Sequence, residues 1–330
     1  MNRHHLHLLC LCVALLGGSG CRWNGWQGIT SPWAQRQQDA PPVLFTTLPP
    51  KEELIAALNI SSARVRTLQT QGATVSLAGI PNISTEIALE KPGKFRFRAS
   101  SSFMGQLVDM GSNEEILWFW TSQSSPPNVY FARHDRLAGS NIRQRLAIDP
   151  GMFVEALGLL ELSPEHVVGE PIAAGKDRVQ LVCRQQTPAG EFIRTLQIHN
   201  RFGYILEQQI TDVAGRPLLN ARLAQQRHYP LDGVTLAHQI DLHVPSGDMR
   251  VQLNVPRYSV NQPFTTGEAT FAFPRDQLGQ HPLVDIADPN FVPPGQSPPA
   301  NYSSPGYGSP GSVTPHVGQA PAQPYRGGVY

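Results

Sequence analysis

Cysteine and histidine are the side chains best able to do chemistry in this chain, and their spacing limits what they can do. Cysteines stand at 10, 12, 21 and 183. Cys183 alternates with Val179 and Leu181, so it reads as a half-buried strand residue rather than a reactive thiol, with no catalytic partner near it. There is no paired-cysteine framework and no Cys-x-x-Cys. The histidines beyond residue 21 fall at 134, 166, 199, 228, 238, 243, 281 and 316. His238 and His243 are five apart, which puts them on opposite faces of a regular strand. Gly306-Tyr-Gly308-Ser-Pro-Gly311 has the spacing of a dinucleotide loop, but neither a strand precedes it nor a helix follows it. His-Glu-x-x-His, Gly-x-Ser-x-Gly and phosphate-loop patterns are absent. The expectation is a non-enzyme, with no catalytic residue, no metal ligand set and no cofactor.

Cys21 is the exception. Ahead of it stand a basic head with Arg3, an apolar run Leu8–Leu16, and Gly17-Gly-Ser-Gly20. That order is the layout of a signal peptide, and the apolar run is too short to span a bilayer. It resembles the bacterial lipoprotein signal, in which the cysteine becomes the lipidated N-terminus; an ordinary secretory signal is the alternative. The resemblance implies removal of residues 1–20, lipidation at Cys21, a membrane partner through that lipid, and an envelope location facing the periplasm. Arg22 follows the cysteine rather than the aspartate that retains some lipoproteins at the inner membrane, which favours the outer one. Residues 21–50 are rich in Gln, Pro and Trp without periodicity and read as a flexible tether.

Beyond the signal the chain carries 25 basic and 25 acidic residues, since Arg3 is the one charge removed. A neutral balance speaks against nucleic acid, which needs a basic face to neutralise phosphates. Leu54, Leu58, Val65 and Leu68 recur at helical spacing behind two first-turn acids, Glu52 and Glu53, and predict an amphipathic helix over 51–70. The pattern then alternates at period two, broken by Gly, Pro and Asn turns. Strands are expected near 73–77, 84–89, 95–99, 106–110, 115–120 and 128–133, and again from 178 to 260. Between the two runs Asp149-Pro150 can start a helix carrying Phe153, Leu157 and Leu160 on one face. From Pro289 to Tyr330 there are ten prolines and seven glycines in 42 residues, too few apolar side chains to offset ordering entropy. The fold class is mainly β with a few helices, an antiparallel meander.

One pattern is more specific. Glu90-Lys-Pro92-Gly-Lys-Phe95-Arg-Phe97 is followed by Asn113-Glu-Glu-Ile-Leu-Trp118-Phe-Trp120, and later by Arg201-Phe-Gly-Tyr204, Asp212-Val-Ala-Gly215 and Phe271-Ala-Phe-Pro274. Residues 51–275 resemble the lipoprotein carrier and receptor superfamily of the bacterial envelope, LolA and LolB. The resemblance implies a strongly curved antiparallel sheet, an incomplete barrel, whose concave face is covered by helices over an apolar cavity that takes acyl chains. The candidate cavity residues are Leu54, Leu58, Phe95, Phe97, Trp118, Trp120, Phe153 and Leu157. Phe103 and Met104, in Ser100-Ser-Ser-Phe-Met-Gly105, are candidates for membrane or partner contact. Residues 276–330 form the expected tail. Two functions stay open: an anchored, non-catalytic binder of a lipid or lipoprotein acyl chain, or a scaffold with a filled core that binds an envelope protein partner.

Overall fold

The computed structural model describes residues 40–77, 80–137, 140, 154–187, 190–245 and 249–291. Cys21 and Phe153 lie outside them. The chain divides into two units, Met1–Pro289 and Asn290–Tyr330, and the fold described below belongs to the first.

Helix α1 spans Lys51–Ala63, starting where Leu54 N–H donates to the Pro50 carbonyl. It buries Leu54, Ile55, Leu58 and Ser62, one face over two turns. The helix stops short of 70. Residues 67–71 instead form strand β1, Thr67–Gln71, with Leu68 facing the core. Apolar spacing of three and four also fits a helix that hands over to a strand, so periodicity alone misplaced the boundary.

The strands that follow are β2 Ala73–Leu77, β3 Ile80–Glu90, β4 Lys94–Ser101, β5 Gly105–Ser112, β6 Ile116–Thr121 and β7 Val129–Arg133. After the one-turn helix α2, His134–Leu137, the second run is β8 Val167–Ala173, β9 Arg178–Thr187, β10 Gly190–His199, β11 Ile205–Asp212, β12 Pro217–Tyr229, β13 Val234–Val244, β14 Met249–Asn254 and β15 Arg257–Val260. Helix α3, Arg275–Leu278, and β16, Leu283–Asp285, close the fold inside what the sequence assigns to the tail. At the other end the tether is docked at Leu44 and Phe45. Leu44 and Phe45 N–H donate to the Arg201 carbonyl, and Phe45 is buried.

All these strands join one large, open, curved sheet that does not close into a barrel. Its order is β16-β7-β6-β5-β4-β3-β2-β14-β13-β12-β11-β10-β9-β8, and among the described residues only the β16–β7 pair is parallel. The first and last strands of the meander meet at the middle. Leu68 faces Val260, Gln71 faces Arg257, Thr74 faces Asn254 and Leu77 faces Val251, an unbroken antiparallel register. So β1 with β2, and β14 with β15, are two bent ribbons rather than four strands. The first bends at Gly72, whose φ of 66° suits glycine, and its register against β3 slips there by one residue. The chain therefore starts mid-sheet, meanders to β7, and must cross to the far edge at β8. Residues 134–166 make that crossing.

Side chains alternate between two faces. The face under α1, here the inner face, carries the large core: Leu68, Val75, Ile87, Leu89 and Phe95 on one side, and Val179, Leu181, Leu196, Ile198, Leu223 and Ile240 on the other. A smaller cluster on the outer face holds Trp118, Trp120, Val129 and Leu278.

Candidate functional site

The crossing segment supplies the inner face with its second cover. Ala156, Leu157, Leu159, Leu160 and Leu162 are all buried, and the four leucines belong to the same core as α1. Among its described residues helical geometry covers 154–156 and the 3-10 turn Pro164–His166; between them the backbone bonds end at the amides of Leu157 and Gly158, and side-chain brackets take over. Asn59 of α1 makes a two-way bridge to the backbone of Leu162, its Nδ2 donating to the carbonyl at 2.8 Å and its Oδ1 accepting from the N–H at 2.7 Å. Lys91 Nζ reaches Glu161 at 2.9 Å and also caps the last carbonyls of α1 through Ser62 O, 3.0 Å, and Ser62 Oγ, 2.7 Å. At the other end Arg194 of β10 pairs with the Glu155 carboxylate, and Gln208 of β11 donates to the Glu155 carbonyl at 3.2 Å. Arg194 faces Cys183 and Ile210 across its neighbours, and Gln208 faces Leu196. Two polar side chains, 7% and 1% exposed, thus sit in an otherwise apolar wall and converge on one residue of the segment.

Leu54 and Leu58 are 1% and 5% exposed, so their side chains are packed on nearly all sides rather than lining an open cavity. In this arrangement α1 and residues 157–162 fill the inner face over β1–β3 and β8–β14. Past them burial is less complete among the described residues. Phe97 of β4 faces Met110 of β5, which faces Phe119 of β6, which faces Tyr130 of β7. These four apolar residues form one cross-strand row on the inner face. Phe97, Met110 and Tyr130 are half-buried, and Phe119 is 39% exposed.

The residues singled out from the sequence separate accordingly. Leu54, Leu58, Phe95 and Leu157 come together in the large core, and Phe97 packs against it. Trp118 and Trp120 do not join them. Trp118 faces Gly111, which faces Arg96, so both tryptophans lie on the outer face, opposite Phe95 and Phe97. The registers of β4, β5 and β6 decide this, and no single strand's alternation reveals it. The tryptophans are covered by the C-terminal segment: Phe273 meets Trp118 edge-on at 5.6 Å, and His281 lies 5.4 Å from Trp120. Beneath them Asp109, fully buried, accepts from Arg96, 2.6 Å, Trp118 Nε1, 3.0 Å, and Gln106, 2.8 Å. Burial pulls the Arg96 guanidinium below its usual range, and the Asp109 charge opposes that pull. This is a structural network, since Arg96 also donates to the Ala272 carbonyl and pins the covering segment.

Phe103 and Met104 stand at the β4–β5 hairpin tip, 98% and 51% exposed. Arg194, Gln208, Met110, Phe119 and Tyr130 are not among the candidates that the sequence offers. Arg194 was the one with a signal, a lone cation in a strand whose partners at 196 and 198 are apolar. Cys183 is buried on the inner face, and burial pushes its thiol up to about 11, a reluctant nucleophile. Among the described residues no three His, Cys, Asp or Glu side chains are placed to hold a metal. No described helix is long and apolar enough to cross a membrane.

No protein-family model and no curated protein matches the chain. In fold it is similar to a putative outer membrane lipoprotein-sorting protein domain from Vibrio parahaemolyticus, at TM-score 0.47 and 12% identity, covering 69% of this chain and 99% of that one. A DUF1329 family protein from Desulfovibrio piger gives 0.42 and 7%, over 67% and 98% of the two chains. A LolA superfamily protein from Nitrosomonas europaea gives 0.40 and 9%, over 66% and 97%. All three scores lie below one half, and the fold described above rests on its own strand pairing.

Proposed function

We propose that this protein is a lipid-anchored, non-catalytic envelope protein that binds an acyl chain on the inner face of its sheet. The row Phe97–Met110–Phe119–Tyr130 carries the proposal, because it places Phe119, 39% exposed, beside half-buried Met110 and Phe97 at the margin of a filled core. A chain entering over this row takes the place of residues 157–162, whose leucines supply a similar apolar surface and are held by side-chain brackets. Each buried methylene contributes about 0.8 kcal/mol, so ten suffice for useful affinity. Cys21 carries the anchor, the domain faces the periplasm from the outer membrane, and Phe103 and Met104 touch the membrane or a protein partner.

The filled core over β8–β14 supports the second function, a scaffold that needs no ligand. Displacement of the neutral probe N-phenyl-1-naphthylamine from the Cys21→Ser protein separates the two. Acyl-chain binding predicts micromolar displacement by long-chain amphiphiles, weakened several-fold by Phe119→Ser. Absence of any probe uptake, together with no lipid in an organic extract of the purified protein, would leave the scaffold.

A further inference from the structure

We infer that the acyl ligand carries an anionic head, and that Arg194 receives it in the position Glu155 holds here. This rests on the proposal above that the inner face takes an acyl chain. A buried guanidinium in an apolar wall is costly unless an anion meets it. Here that anion is internal: Glu155, on the same segment whose leucines cover the core. The segment thus presents an apolar stretch with a carboxylate near one end, the layout of an amphiphile. Glu155 is the more accessible partner, its side chain 28% exposed against 9% for Arg194, so the anion can leave toward water while the cation stays in the wall. Gln208 is positioned to assist. Its Nε2 donates to the Glu155 backbone carbonyl, and its Oε1 is buried without a hydrogen-bond partner, so a head group bringing a hydroxyl or a protonated oxygen would satisfy it. The shared chemistry is an oxyanion that fits a guanidinium, a carboxylate or a phosphate.

The test uses three ligands with the same twelve-carbon chain: laurate, dodecyl phosphate and dodecanol. Each displaces N-phenyl-1-naphthylamine from the Cys21→Ser protein. Comparison at constant chain length cancels any change in how easily the segment moves. At least one anion is expected to bind about tenfold or more tightly than dodecanol, and the tighter anion identifies the head group. Arg194→Gln brings that ratio close to one. Glu155→Gln, which removes the internal competitor and keeps the cation, raises it, and this variant carries the test if Arg194→Gln fails to fold. Equal binding of anions and dodecanol by the unaltered residues, or a ratio unmoved by both substitutions, overturns the inference and leaves acyl binding intact. If none of the three binds, acyl binding itself fails and the inference with it.

Discussion

Three residues show how local packing sets measurable behaviour. A methyl group added at Gly111 would lie 2.2 Å from the Trp118 ring, so Gly111→Ala forces the tryptophan and its Asp109 bond apart. The expected cost is at least about 1–3 kcal/mol in urea unfolding, the usual range for overpacking. Cys183, buried and with its thiol pushed up, is expected to resist iodoacetamide at pH 8 in the native protein and to react once it is unfolded in denaturant. His238 is held by two hydrogen bonds that suit its neutral form: Nδ1–H donates to the Val255 carbonyl at 2.6 Å, and Nε2 lies 3.0 Å from the Tyr229 hydroxyl, which donates to it when the ring is neutral. Burial, with Arg227 adding repulsion, lowers its pKa below the ordinary 6.5. The unfolded chain therefore binds this proton more readily, so stability from this site is complete above about pH 6.5 and is lost as the pH falls below it. Thermal melts between pH 7.5 and 5 are expected to fall more steeply for the unaltered protein than for His238→Gln.

At the scale of elements, α1 and residues 157–162 cover the same face but are held differently. The helix brings its own backbone hydrogen bonds, whereas the segment borrows Asn59, Lys91 and Arg194. Asn59→Ala leaves the Leu162 amide and carbonyl unpaired, at about 1–3 kcal/mol, and is expected to speed amide exchange at 157–162 ahead of the strands. The role of Asn59 has no local signal in the sequence, because its partner is 103 residues away. The strand pattern was legible because alternation and turn residues are local signals. The end of α1, the strand β8 and the late strand β16 were not. The first is an ambiguous apolar spacing, and the other two rest on pairing with distant neighbours. At the β4–β5 tip, exposed Phe103 and Met104 touch no core. The double change to Ser is expected to leave the melting temperature within a degree or two and to weaken partition onto lipid vesicles.

For the whole molecule, the decisive feature is that the meander begins and ends at mid-sheet. That forces the chain between β7 and β8 to cross the sheet, and the segment capable of blocking the inner face is the described end of this forced crossing. Composition made the sheet visible and could not show the crossing, since topology depends on which strands pair. The same limit placed the tryptophans with Phe95 and Phe97, although three registers put them on the opposite face. At this scale the anchor has its own test. Labelled palmitate is expected to enter the intact protein and to be absent from Cys21→Ser.

The competition between ligand and segment is most directly read by hydrogen exchange. In the Cys21→Ser protein, amides at 157–162 are followed with and without saturating laurate, with dodecyl phosphate as a second ligand. If an acyl chain takes the place of this segment, its amides exchange faster in the bound state while the amides of β12 and β13 stay protected. Unchanged or slower exchange at 157–162, under conditions where binding is demonstrated, would contradict it.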